Sequence, residues 1–193
     1  EATLLFWLIK IAATTLGETG GDAVSMSMNL GYLTGTVIFS FIFLVAVNIQ
    51  IKSDRFNPYI YWLTVIATTT VGTTLADFAD RSLGIGYLGG SILLLVLLGA
   101  SLFSWYRTMG TVSIHSVNTQ KSEAFYWITI MFSQTLGTAL GDWTADTAGL
   151  GYTGGMVVFG LSLALLAFAY FFTSISRTAL FWGAFILTRP MGA

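Results

Sequence analysis

The chain has 193 residues, of which 55% are hydrophobic and 9% charged, with a formal net charge of −1 and a mean hydropathy of +0.78. So little charge lies far below the usual quarter of a soluble domain, and the composition points to a polytopic membrane protein rather than a soluble core with an anchor. The near-neutral balance excludes a basic nucleic-acid surface, and the lack of cysteine excludes disulfide, thiol and zinc-thiolate chemistry.

Apolar runs predict membrane-spanning helices over residues 4–25, 32–51, 58–81, 87–106, 123–146, 152–173 and 178–193. Each approaches or exceeds the ~20 residues that cross a hydrocarbon core about 30 Å thick. Glu1 brings no initiator methionine or cleavable-signal pattern, so the start reads as trimmed, with the first span directing insertion.

The odd-numbered spans share landmarks at fixed spacing. Phe6-Trp7, Tyr61-Trp62, Tyr126-Trp127 and Phe181-Trp182 open them, and Gly17, Gly72, Gly137 and Gly192 follow each tryptophan by ten residues. Five residues further on come Asp22, Asp77 and Asp142, and nine beyond those Gly31-Tyr32, Gly86-Tyr87 and Gly151-Tyr152. Such self-similarity predicts repeated two-helix units: 4–51, 58–106, 123–173 and a partial 178–193, within one membrane domain spanning 1–193. The fold class expected is an all-α polytopic membrane bundle with seven visible spans. Its repeats run parallel about a pseudo-symmetry axis along the membrane normal. The last span stops one residue past Gly192, so the chain reads as about one helix short of four copies. Repeat spacings of 55, 65 and 55 residues place a ten-residue insertion, the 108–118 linker with His115, between copies two and three.

Lys52, Arg55, Arg107, Lys121 and Arg177 follow even spans, and only Arg81 follows an odd one. By the positive-inside rule the N-terminus is cytoplasmic and the Gly-Tyr corners lie outside. Asp54 and Glu123 then read as solvated cytoplasmic acids, and the tryptophans as interfacial anchors.

Helical periodicity gathers the intramembrane polarity on one face of the odd spans. Copy one contributes Lys10, Thr14, Glu18 and Asp22; copy two Thr69, Thr73, Asp77 and Asp80; copy three Gln134, Thr138 and Asp142; copy four Arg189. Lipid offers such groups no partners, so the stripes should face one another in an inner ring of odd helices, inside an outer ring of even ones. Glu18, Asp22, Asp77, Asp80, Asp142 and Asp146 are the candidate ion-binding or proton-relay residues. Lys10 and Arg189 are their counter-charges, with Thr14, Thr69, Thr73, Gln134 and Thr138 as supporting polar groups. Hard oxygen ligands suit a manganese-like divalent cation or protons, with Asp22, Asp77 and Asp142 the expected metal ligands. No cofactor is required beyond such a cation. Pro190 is expected to kink the seventh span.

The segments Gly17-Glu18-Thr19-Gly20-Gly21-Asp22, Gly72-Thr73-Thr74-Leu75-Ala76-Asp77-Phe78-Ala79-Asp80, Gly137-Thr138-Ala139-Leu140-Gly141-Asp142-Trp143 and Phe185-Ile186-Leu187-Thr188-Arg189-Pro190 carry a resemblance. The chain resembles a family of bacterial multi-pass membrane proteins built from four tandem copies of a two-helix repeat of unknown function, each with a characteristic tryptophan. The resemblance implies eight spans and a bacterial inner-membrane location, and supplies no activity.

Two functions compete. One is a transporter or channel for a small cation, a divalent metal or protons; the other is a non-catalytic structural or accessory subunit whose buried polar stripes fix helix packing. Lipid, a small cation, and a homo-oligomer or larger membrane complex are the expected partners. An enzyme is not expected: Ala139-Leu140-Gly141-Asp142 faintly resembles the Gly-x-Gly-Asp of intramembrane aspartyl proteases, but lacks the first glycine.

Overall fold

A computed structural model describes residues 3–53 and 56–192. Glu1, Asp54, Arg55 and Ala193, on which expectations about the chain ends, cytoplasmic charge and orientation rested, lie outside them. The described residues form seven α-helices: α1 (Leu4–Asp22), α2 (Tyr32–Lys52), α3 (Pro58–Asp77), α4 (Gly86–Met109), α5 (Gln120–Asp142), α6 (Gly151–Phe172) and α7 (Arg177–Met191). Local chemistry sets their starts. Thr3 caps α1; Asn57 Oδ1 accepts from the Tyr59 amide at 2.9 Å, with Pro58 in the first turn of α3; a Thr119–Ser122 capping box opens α5.

The repeat extends to the backbone. Directly after Asp22, Asp77 and Asp142 the helix loosens into five-residue π-helical segments, Ala23–Ser27, Phe78–Ser82 and Trp143–Thr147. Their corners repeat positive φ at Asn29, Gly84 and Gly149, and again at Gly31, Gly86 and Gly151. Glycine serves five of these six positions because a Cβ is disfavoured in the left-handed region; Asn29 (φ 55°) is the tolerated exception.

The four odd helices form the inner ring, α1 on α3, α3 on α5, α5 on α7, and α7 returning to α1. One contact rule repeats around it. A Cβ built on Gly17 would collide with Thr69, on Gly137 with Arg189 and on Gly192 with Thr14, and one on Gly72 would press tightly on Gln134 at 3.2 Å. Each glycine therefore admits the residue at one repeat position of the next inner helix, and the fourth contact closes the circle. Gly17 faces Thr69 and Gly21 faces Thr73, so α1 and α3 run in the same direction. The outer helices follow a second rule: α2 packs on α3, α4 on α5 and α6 on α7. Among the described residues no outer helix lies along α1, whose Leu4, Leu5, Leu8 and Leu16 are exposed.

The expectation of seven membrane spans is corrected. Among the described residues only α2, α4 and α6 combine the length and apolar composition needed to cross a membrane. The polar stripe that organises the inner ring is the reason. Lys10, Glu18 and Asp22 fall within α1, and six buried threonines with Asp77 within α3. Lys121, Glu123 and Asp142 fall within α5. The fifteen residues of α7 reach only about 22 Å. Pro190 sits in the last turn of α7.

The tryptophans are also corrected, from interfacial anchors to packing elements. Trp127 and Trp182 are buried and Trp7 and Trp62 half-buried, in one cluster with Tyr61, Tyr126, Phe185 and the fully buried Trp105 of α4. Edge-to-face pairs tie it together, Trp105 on Trp182 at 5.8 Å and Tyr126 on Trp127 at 5.2 Å between centroids. The Tyr61 and Tyr126 hydroxyls bond at 2.8 Å. The linker joins this end: Val112, Ile114 and Val117 pack on the cluster, and the Trp182 indole donates to the Val112 carbonyl at 3.0 Å.

Candidate functional site: a layered polar axis

Because all four inner helices run in one repeat register, their inward side chains stack in layers. Lys10 shares its layer with Val65, Ile130 and Phe185; one turn on lie Thr14, Thr69, Gln134 and Arg189; then Glu18, Thr73 and Thr138; then Asp22, Asp77 and Asp142.

The Glu18 layer is organised by Arg189. Its Nη2 pairs with Glu18 and donates to Thr73 Oγ1 and Thr138 Oγ1 at 2.6 Å each, and Thr73 Oγ1 donates to Glu18 Oε2 at 2.8 Å. One guanidinium nitrogen from α7 thus meets the equivalent residue of α1, α3 and α5. Arg189 itself is fully buried. Lys10, expected as a second counter-charge, makes no such ion pair among the described residues. The Nζ of this fully buried lysine donates to the Phe185 carbonyl at 3.0 Å and to Thr188 Oγ1 at 2.6 Å, and sits 4.0 Å from the centre of the Phe185 ring. It closes α1 onto α7 rather than neutralising an acid.

The aspartate layer is organised by Arg81, which the charge pattern had placed in an outer connection. Its Nε lies 2.9 Å from Asp77 Oδ1, one helical turn back, and its Nη2 lies 3.7 Å from Asp142 Oδ2. The side chain, a third exposed, lies against the rings of Tyr32 and Tyr87 and donates to the Tyr32 hydroxyl at 3.4 Å. Tyr87 repeats the reach of Tyr32 one copy later, donating to Asp146 Oδ2 at 3.3 Å. The Gly-Tyr tyrosine of one repeat therefore touches the π segment of the next.

The expected metal ligands are corrected here. Among the described residues no three His, Asp or Glu side chains gather closely enough to hold a metal ion. Arg81 occupies the place between Asp77 and Asp142, while Asp22 is half-buried on α1. Asp80, expected near water, is buried against Gly90 of α4, with both carboxylate oxygens lacking a hydrogen-bond partner. Its repeat equivalents are the small Ser25 and Ala145. Asp146 is exposed, as expected for an outer helix end, whereas Glu123 is half-buried rather than solvated. Among the supporting groups, Thr14 bonds back to the Ile11 carbonyl, Thr69 reaches the Ala13 carbonyl of α1 at 3.3 Å, and the amide of Gln134 is buried without a partner.

Sequence reasoning undervalued Arg81, although its i,i+4 spacing from Asp77 was a readable signal. It missed the π segments, which are frequent at functional sites. The opening tyrosines were noted only as landmarks.

No curated protein and no solved structure matches the chain. The family model described as Repeat of Unknown Function (DUF347) matches three times, over residues 5–56, 60–111 and 125–176, one match for each two-helix unit. Together these matches cover most of the sequence, and the chain belongs to that family.

Proposed function

We propose that the protein is a membrane transport protein for a small cation, with protons the species its acid layer handles. The observation that carries this reading is a charge imbalance on the bundle axis. Glu18, Asp22, Asp77 and Asp142 face two guanidinium groups, Arg189 and Arg81, at that end. Arg81 is shared between Asp77 and Asp142 and Asp22 has no cationic partner, so two negative charges are left uncompensated in surroundings that burial makes poor at solvating charge, and protons are the partners that need no ligand cage. The donor set disfavours a divalent metal for the same geometric reason that rules the triad out as a metal site. The apolar outer helices α2, α4 and α6 cover α3, α5 and α7 and would shield that part of the polar ring from lipid. The cytoplasmic side is assigned to the tryptophan end, where Lys52, Arg107, Lys121 and Arg177 lie, and the membrane is a bacterial inner membrane.

A second reading has an observation of its own. Arg189 ties α1, α3, α5 and α7 at one point, which is what a purely structural network requires. Proteoliposomes holding the protein, loaded in parallel with a pH-sensitive and a Mn²⁺-sensitive dye, separate the readings. Transport of protons predicts acidification of the lumen under an inward proton gradient, with no protein-dependent Mn²⁺ signal. Silence in both channels supports the structural reading, and Mn²⁺ uptake contradicts the proton assignment.

A further inference from the structure

The aspartate layer contains a cation of its own, held by charge rather than by directed bonds. Arg81 Nε lies 2.9 Å from Asp77 Oδ1, yet that oxygen has no hydrogen-bond partner, so the contact is an ion pair without hydrogen-bond alignment. Its Nη2 stands 3.7 Å from Asp142 Oδ2, beyond hydrogen-bond reach. The guanidinium carbon also lies 5.9 Å from the centre of the Tyr32 ring and 5.8 Å from that of Tyr87. One side chain thus meets two carboxylates and two aromatic rings, with a tyrosine from each of the first two Gly-Tyr corners. Repeat symmetry does not call for a cation here. The fourth residue of the three π segments is Met26, Arg81 and Asp146 in turn, and Met26 and Asp146 are both exposed.

We propose that Arg81 sets the ion specificity of the acid layer: a tethered cation, it holds the place between Asp77 and Asp142 against metal ions and leaves the layer open to protons. A divalent ion needs only one or two carboxylates, with water completing its coordination, so this pair would suffice without Arg81. With Arg81 present, such an ion must displace the guanidinium and then remain close to it. Even at the dielectric constant of water, a unit charge about 4 Å from a divalent ion weakens its binding by roughly tenfold or more. A proton meets neither obstacle, because it neutralises a carboxylate oxygen where that oxygen stands. The inference rests on the proton reading of the acid layer and adds the residue that excludes other cations. Its test reads metal binding rather than flux, so the two can fail separately.

The purified full chain in detergent is titrated with Mn²⁺, free Mn²⁺ is followed by electron paramagnetic resonance, and thermal unfolding is recorded in parallel. Arg81→Gln is expected to bind Mn²⁺ roughly tenfold or more tightly than the unaltered chain, and to be stabilised by it. Arg81→Lys keeps the charge and should stay near the unaltered affinity. Adding Asp142→Asn to Arg81→Gln should remove the gain, which locates the ion. If Arg81→Gln does not fold in metal-free detergent, purification in Mn²⁺ should restore its cooperative unfolding. Unchanged affinity in folded Arg81→Gln, an equal gain in Arg81→Lys, a gain that survives Asp142→Asn, or a variant that Mn²⁺ does not restore would overturn the proposal. Should the affinity shift as expected while proteoliposomes of the unaltered chain carry no protons, Arg81 still excludes metal and the transport reading alone falls.

Discussion

Gly17→Ala tests the inner ring at the contact on which its spacing depends. The new Cβ would lie 2.5 Å from Thr69 Cβ and 3.1 Å from the Thr70 amide nitrogen, besides colliding with Thr69 Oγ1. A rotamer change moves the hydroxyl but neither of the other two atoms, so α1 and α3 must separate. Overpacking of this kind costs about 1–3 kcal/mol, against about 1 kcal/mol returned because alanine is the better helix former. The net loss is roughly 0–2 kcal/mol, which at about 2–4 °C per kcal/mol for a chain of this size lowers the midpoint by up to about 8 °C. Gly20, three residues along the same helix, is the internal control, since nothing lies within 4 Å of its built Cβ. Gly20→Ala keeps the propensity gain alone and should raise the midpoint by about 2–4 °C. Both variants are measured by thermal unfolding in the same detergent. A Gly17→Ala midpoint equal to or above that of Gly20→Ala would refute the close approach of α1 and α3.

Further predictions follow from single contacts. Tyr126→Phe should lose about 1 kcal/mol in chemical denaturation, because the half-buried Tyr61 loses its hydroxyl partner at 2.8 Å. Trp182→Phe and Trp105→Phe both leave similar voids, but only Trp182 donates a hydrogen bond, to Val112, so it should cost about 1 kcal/mol more and expose the linker to protease. Arg81→Gln should destabilise by about 1–3 kcal/mol, discounted for its partial exposure, and Asp77→Asn on top of it should cost far less than it does alone; additive effects in that cycle would deny their coupling. For orientation, cysteines at the exposed positions of His115 and Asn29 are reacted with an impermeant thiol reagent on intact cells. Labelling at Asn29 with protection at His115 is expected, and the reverse pattern would invert the topology.

The inner and outer rings were legible because the repeat puts each landmark on one helical face: glycines that mark close approach, and acids that cannot face lipid. The layers of Glu18 and of the three aspartates follow from that register alone. What the register could not show is which cation enters which layer. Arg189 reaches three helices because α7 closes the circle, and Lys10 turns to carbonyl and hydroxyl oxygens of α7 because that is where the ring brings it. The π segments escaped notice because Ala23–Ser27, Phe78–Ser82 and Trp143–Thr147 share almost no side-chain chemistry; the repeated feature is backbone hydrogen bonding. Trp182 misled for a physical reason as well. An amphipathic ring suits a membrane interface and a buried site with a carbonyl partner equally, and only the linker's Val112 distinguishes them.

The central claim, that the acid layer carries protons, is tested most directly by proton flux through proteoliposomes holding either the unaltered chain or Asp77→Asn/Asp142→Asn. The amides keep size and hydrogen-bonding capacity while removing the titratable groups, and a retained thermal midpoint shows that the fold is intact. The account predicts that the folded double variant loses at least nine-tenths of the flux, on the order of the tenfold or greater effects seen when a proton-transfer group is removed. Undiminished flux in that variant would contradict it.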